Sequence, residues 1–414
     1  MTLTATGDSV QADTPFMGLA PFLRMNISGD DLSGVAQALM AQAQESPGDA
    51  NLWMNLATAM LCLGHRDIGL AMQAQALDVC RIYDLPALEQ PAKFRLLMLM
   101  APGDLAANTP LDCLLEVSDI DLIYYFVSSG DPLALPVPEH DAVIVAMSEA
   151  DENRAALAAL ETALANWPKP VINRPQSIPN IGREKASELL RDAPGVMIPA
   201  TLHASRALLE AVAAGATRLS ELFADCDFPV ILRPVGSHAG RDLARIASPE
   251  EVAVYLARVD EAEFFLSRFI DYRSPDGMFR KYRVALIAGE AFACHMGISS
   301  HWMIHYVNAG MYEDAGKRAE EARFMEGFAA FKARHREALA AIHARSGLDY
   351  VCVDCAETAD GKLFVFELDH AMVVHAMDPE AMFPYKQLHM ARVREAFRAY
   401  LIRLGSGRPE RGER

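Results

Sequence analysis

Three carboxylates stand close together in the stretch Leu348 to Asp369, LDYVCVDCAETADGKLFVFELD: Asp354, Glu367 and Asp369. Acids so crowded repel one another. A hard divalent cation such as Mg2+, bound through oxygen and bridging to substrate phosphates, would hold such a group together. Positioning the three acids falls to two strands. Apolar and β-branched residues run from Leu348 to Val353, Asp360-Gly361 supplies a tight turn, and Leu363 to Leu368 runs back, so the stretch reads as a half-buried hairpin. Period-two alternation puts Glu367 and Asp369 on the face of Leu363 and Val365, opposite Phe364, Phe366 and Leu368. An edge hairpin whose acids simply face water is the other reading open for this stretch by itself.

Composition sets the frame around that hairpin. A chain of 414 residues, 51% hydrophobic and 22% charged, is long enough for two or three domains of a soluble globular protein. The net charge of −17 argues against nucleic-acid binding as its main business, because phosphate backbones demand Lys and Arg in excess. The N-terminus lacks a charged region followed by an apolar core, and no apolar run approaches the roughly 20 residues of a membrane span. A cytoplasmic protein without membrane attachment is expected. Seven cysteines, an odd number without regular spacing, fit reduced thiols, and Cys352-x-x-Cys355 lacks the second pair that a zinc site needs.

Along the chain, residues 1 to about 28 show no sustained period and read as a loosely ordered arm. From Asp30 the pattern is helical: Leu32, Val35, Ala36, Leu39 and Met40 form one stripe, and further helices run from about Asn51 to Leu63 and from Arg66 to Tyr83. Trp53, Leu56, Ala57, Gly64 and Ala76 resemble the tetratricopeptide repeat over about one and a half repeats, with Gly69 and Gln73 where a small residue and an aromatic are usual. Fewer than three repeats seldom stand alone, so residues 1–88 read as a helical appendage docked on the body or on a second subunit. Its groove could take a peptide or protein partner. Residues 89–180 alternate apolar runs (Phe94 to Met100, Ile120 to Val127, Asp141 to Met147, Pro170 to Asn173) with helical stretches, the mark of a small open parallel α/β domain covered on both faces. The loop Ala101 to Pro110 follows the first of these strands, where such sheets bind ligands, but it holds no GxGxxG and is no dinucleotide site.

An Asp, a Glu thirteen positions on and an Asn two further is the metal signature of ATP-grasp ligases, and Asp354, Glu367 and Asp369 resemble it with Asp in place of Asn. The resemblance extends upstream. Lys185, ahead of Gly195-Val196-Met197-Ile198-Pro199, is similar to the lysine that in that family reaches the nucleotide phosphates, and Arg233 in Phe228 to Pro234 stands where the family has a second lysine. Arg keeps the charge and grips phosphate in a fork, though with a different shape. The loop Val235 to Arg241, with Gly236, Ser237, His238 and Gly240, resembles the family's glycine-rich flap over the triphosphate; glycine allows the backbone to approach phosphate closely. His238 reads as a phosphate contact or an exposed side chain. Phe264 to Asp271 resembles the hinge strand that pairs with adenine, with Ser267 and Phe269 as its candidates, although the Glu often found there is absent. Arg283, in Lys281 to Ile287, resembles the arginine that faces the γ-phosphate and the acyl-phosphate. Ser299 to Met311, with His301, Trp302, His305, Tyr306 and Asn308, reads as an active-site loop, and a helix from about Lys317 to Arg345 leads into the hairpin.

The resemblance, from about Phe94 to Leu404, implies a fold both α/β and α+β: the N-terminal helical segment, the small open parallel domain, then a two-subdomain ATP-grasp body over 181–404 and a flexible tail over 405–414. It implies ATP and Mg2+ as cofactors and a carboxylate-amine ligase of the glutamate ligase or glutathione synthetase type. Catalysis would fall to Arg283, acting on a small amino acid or peptide substrate, and a homo-oligomer remains open. A non-catalytic scaffold on a degenerate core is the rival that Arg233, Asp369 and the missing hinge Glu support.

Overall fold

The computed structural model describes residues 14–128, 130–223, 226–237 and 240–406. His238 and most of the expected tail, from 407 onward, lie outside the described residues. Four helices open the fold: α1 (Ala20–Ser28), α2 (Leu32–Glu45), α3 (Ala50–Cys62) and α4 (Arg66–Val79). Asp31 and Asp49 cap α2 and α3 by accepting backbone N–H groups of their first turns. Gly69 is required by the α3–α4 contact, because a Cβ there would lie 2.7 Å from Cγ of Leu61. Residues 1–13 of the expected loose arm lie outside the described residues, and the rest of it, from residue 14 on, is instead tied down. Asn55 bonds both ways to Pro15 and Met17, Phe16 packs on Tyr83 and Tyr124, and buried Asp112 accepts the N–H groups of Leu19 and Ala20 at the start of α1. All but one of these partners lie far along the chain, and a nine-residue helix needs such tertiary support.

The second layer is a five-stranded sheet of β1 (Ile82–Leu85), β2 (Phe94–Met100), β3 (Ile120–Phe126), β4 (Ala142–Val145) and β5 (Val171–Ile172), in the order β1-β3-β2-β4-β5. It is parallel except for β1, which runs antiparallel to β3. Leu96, Leu97, Met98 and Leu99 are all fully buried, as a sheet covered on both faces demands. Helices α5 (Leu111–Leu115) and α6 (Arg154–Leu164) belong to its connections. The boundary expected at residue 88 falls inside this unit, since β1 precedes it. Strand order reverses at β2, with β3 on one side and β4 on the other, so the loops after β2 and β4 meet at the carboxyl ends of the strands, where open sheets bind ligands.

Helix α7 (Arg183–Leu190) and the short β6 (Val196–Met197) lead into an antiparallel sheet ordered β7-β10-β8-β9. Its strands are β7 (Thr201–Ser205), β8 (Val230–Pro234), β9 (Ala244–Ile246) and β10 (Glu263–Arg268), accompanied by α8 (Arg206–Ala213), α9 (Leu219–Leu222) and α10 (Pro249–Arg258). A core of its own, centred on Leu209, Val212, Val252, Tyr255 and Phe264, holds it together. The third sheet, β12-β11-β13-β14-β6, contains β11 (Phe279–Ile287), β12 (Glu290–Ser299), β13 (Tyr350–Glu357) and β14 (Leu363–Asp369). The helix expected from Lys317 to Arg345 is three: α11 (Ala315–Glu326), α12 (Phe328–Arg334) and α13 (Arg336–Ser346). Gly327 ends the first, and His335, bonded to Glu357 at 2.7 Å, ends the second. The last helix, α14 (Pro384–Gly405), inserts Phe397 and Leu401 into a core shared with Met98, Tyr350 and the N-terminal helices. No described helix is long and apolar enough to cross a membrane.

Candidate active site

The hairpin β13–β14 carries the acids, but not with the alternation its sequence suggests. Asp354 pairs with Glu367 and Cys352 with Asp369, whereas Cys355 pairs with Val365, so Phe366 is an extra residue, a bulge. Leu363, Val365 and Leu368 therefore share one face with Val351, Val353 and Cys355, while Phe364 and Phe366 pack on Tyr272 across the sheet. Lys281 Nζ, which pairs with Asp354, lies 5.6 Å from the Phe366 ring centroid. The expectation that Glu367 and Asp369 share a face with Leu363 and Val365 is thus corrected. One inserted residue turns the two acids to the side of the phenylalanines.

Across the neighbouring strand Arg283 stands opposite Asp354 and grips it in a fork, Nε to Oδ1 at 2.8 Å and Nη2 to Oδ2 at 3.0 Å. Lys281 adds a contact to Oδ2 at 2.7 Å. Burial alone would raise the Asp354 carboxyl, but the two cations overcome it and hold it well below the usual range. Glu367 pairs with Arg183 at the start of α7. Burial pushes this carboxyl up as well, and Arg183 and Lys281 bring it down to about 2. Asp369 differs: burial, then the nearby charge of Glu149, push it up to about 8, and its Oδ1 accepts the Ala371 N–H at 2.7 Å. Among the described residues no three His, Cys, Asp or Glu side chains gather as a metal-ion cluster; two of the acids are held by arginine and lysine instead.

The phosphate-side candidates fall into two groups. Arg233 on β8 bonds the backbone and hydroxyl of Ser237, and burial followed by the charge of Arg183 pulls its guanidinium down to about 10. It therefore belongs to the same field as Glu367. Gly236 and Gly240 both adopt left-handed backbone with φ of +70° and +74°, the conformation for which glycine was expected in this loop. Lys185 is apart from this group: its side chain is 53% exposed and pairs with Glu188 on the same helix. The base that α7 turns to the acids is Arg183, two residues earlier. Nothing in the sequence distinguishes the two positions, because the phase of a helix start cannot be read without its cap. Ser267 sits in β10 between Thr201 and Ile231, and Phe269, whose N–H bonds to Pro229 O at 3.0 Å, carries Arg245 at 4.8 Å from its ring centroid and Trp302 at its edge.

Lys281, Arg283, His295, His305, Tyr306 and Asp354 line a pocket of about 70 Å³. His295, on the outer strand, pairs with Arg283, and burial followed by the charge of Arg283 forces its pKa far down. The loop read as part of the active site does reach it: the Tyr306 ring lies 4.6 Å from that of His295. Beneath Tyr306 is a buried ionic group that sequence reasoning missed. Lys386 of α14 pairs with Asp378 at 2.9 Å and lies 4.1 Å from the Tyr306 ring centroid, and Glu321 accepts from Tyr306 and Tyr385. A buried Lys or Glu within a helical pattern is the signal that would have pointed there.

No family model matches the sequence, and no curated protein matches it. Solved structures do match. A RimK domain ATP-grasp protein from Sphaerobacter thermophilus is 17% identical, with a TM-score of 0.42 over 75% of this chain and 100% of its own. The D-alanine–D-alanine ligase from Bacillus anthracis, complexed with ATP, is 13% identical, with a TM-score of 0.42 over 73% of this chain and 98% of its own. The ATP-grasp ligase PsnB, complexed with precursor peptide PsnA2 and AMPPNP, is 16% identical, with a TM-score of 0.41 over 76% and 100%. All three are distant likenesses, at 17% identity or less and with TM-scores of 0.42 or less.

Proposed function

We propose that this chain is an ATP-dependent ligase that joins a carboxylate to an amine through an acyl-phosphate, releasing ADP and phosphate. One observation carries the reading: Arg183, Arg233, Lys281 and Arg283, from three separate parts of the fold, converge on Asp354 and Glu367. A chain with a net charge of −17 has no need of such a cluster for solubility. Its chemistry suits a nucleoside triphosphate. Phosphate oxygens would take the four bases, and the carboxylates so released fit Mg2+, a cation that prefers few carboxylates and substrate phosphates. When bound, the metal neutralises charge on the phosphoryl oxygens. The chain's own part is positional: Arg283, fixed by its strand pairing with Asp354, faces the transferred phosphoryl group and the acyl-phosphate, and the Gly236 to Gly240 loop covers the phosphates. Ser267 and Phe269 border the adenine, and Lys185 reaches the phosphates by leaving Glu188. The substrate is an amino acid or a peptide.

Glu367→Gln is expected to abolish ADP release from ATP, Mg2+ and pooled amino acids or peptides while the circular dichroism spectrum stays that of the wild type. Full turnover in this variant would end the metal assignment. A second reading, an ATP-binding scaffold without catalysis, draws on Asp354, whose two oxygens are already satisfied by Arg283 and Lys281. Calorimetric ATP binding with no product by mass analysis for any pool would favour it.

A further inference from the structure

Gln73 departs from the repeat pattern around it, and the structure gives that departure a use. Its side-chain amide, buried on α4, bonds Gly103 in both directions: Nε2 donates to Gly103 O at 2.9 Å and Oε1 accepts Gly103 N–H at 2.7 Å. Arg66, at the start of the same helix, pairs with Asp104 at 3.0 Å. These contacts fix the loop that follows β2. The loop is stiffened internally, as the Asn108 amide closes a second two-way pair with Ala101. It is then joined to the loop after β4: Ala107 O accepts Ser148 N–H at 2.9 Å and Ala146 O accepts Thr109 N–H at 2.8 Å. Between those two residues Met147 O accepts from Nε2 of fully buried His370 at 3.0 Å, and Asp369 is the next residue in the chain.

We infer that Gln73 is a positioning residue for the active site. Through the 101–110 loop, the N-terminal helices set where Met147 to Glu149 stands against His370 and Asp369. Describing the far end of this run of hydrogen bonds as an active site rests on the ligase reading above; the run itself does not.

Amide hydrogen exchange on the full chain, without nucleotide, tests it. Gln73→Met keeps the size and removes both bonds. Protection at Gly103, Ser148 and Ala371 is expected to fall about ten-fold or more, with the β11–β13 core amides unchanged. Gln73→Glu supplies the conservative rescue, because a protonated carboxyl can both donate to Gly103 O and accept from its N–H, whereas the ionised form cannot donate. Its protection factors at the three amides are expected to match wild type in acid and to fall as the carboxyl ionises. Should the Met variant fail to fold, Arg66→Gln, a change at an exposed side chain, is expected to lower the same three in the same order. Loss of protection confined to α4 and Gly103, or a Glu variant unprotected at every pH, would overturn the inference. Since no turnover is read, failure of the ligase reading would leave this result standing.

Discussion

Asp369 is the acid whose ionisation the fold resists. In the folded chain its carboxyl keeps its proton to about pH 8, against 3.8 for an ordinary aspartate, because it is buried beside the charge of Glu149. The folded state therefore holds more protons than the unfolded one across that window, and stability must fall as pH rises from about 4 to about 8. Asp369→Asn keeps an acceptor for Ala371 N–H and has nothing to ionise. In metal-free protein, wild type and variant are expected to differ by a constant below about pH 4, and the variant gains on wild type up to about pH 8. Urea midpoints at several pH values measure the difference; a pH-independent gap would show that Asp369 ionises normally.

The bulge decides more than any single side chain on its hairpin. Because side chains alternate with period two, the one extra residue at Phe366 breaks the count between Val365 and Glu367, and a strand without it pairs regularly with Glu367 still opposite Asp354. Deletion of Phe366 is expected to leave Cys355–Val365 and Asp354–Glu367 as successive pairs with the acids on the same face, so the variant should fold, less stable by about 3 kcal/mol for the ring lost from Tyr272. Phe366→Leu keeps the residue count and is expected to fold and bind ATP. Circular dichroism and calorimetry compare the two, and a deletion variant that cannot fold while Phe366→Leu does would contradict this account of the hairpin. The hairpin itself was legible from β-branched runs around Asp360-Gly361, and β2 and β3 from their unbroken apolar character. Phe366 gave no local sign, since a bulge is settled by partner strands. The same holds for α1, whose start is satisfied by Asp112 far along the chain, and for Arg183, whose pairing with Glu367 depends on where α7 docks.

At the scale of the whole molecule, the N-terminal segment is not an appendage. Phe16, Phe22 and Trp53 belong to the same core as Met98, Tyr350 and Phe397, and β1 adds an antiparallel edge strand to the sheet. A docked appendage over residues 1 to 88 could be removed at a cost in solubility or assembly while the rest still bound nucleotide. The packing predicts otherwise: such a truncation strips the β3 edge and uncovers the core, and is expected to yield insoluble protein without a cooperative melt. A soluble truncated chain with the wild-type ATP affinity would restore the modular view.

Helix α14 gives this architecture an order in time. Its Phe397 and Leu401 share a core with Phe94 and Met98 of β2, and a Cβ at Gly405 would lie only 2.9 Å from the Phe94 ring. Strand β2 leaves the ribosome some three hundred residues before the helix that covers it. Until α14 has emerged, the part of the sheet that it covers stays bare, and the nascent protein is expected to draw on holdase chaperones for that interval. Stalled chains ending before Pro384 are expected to retain ribosome-associated chaperones that chains extending past α14 shed.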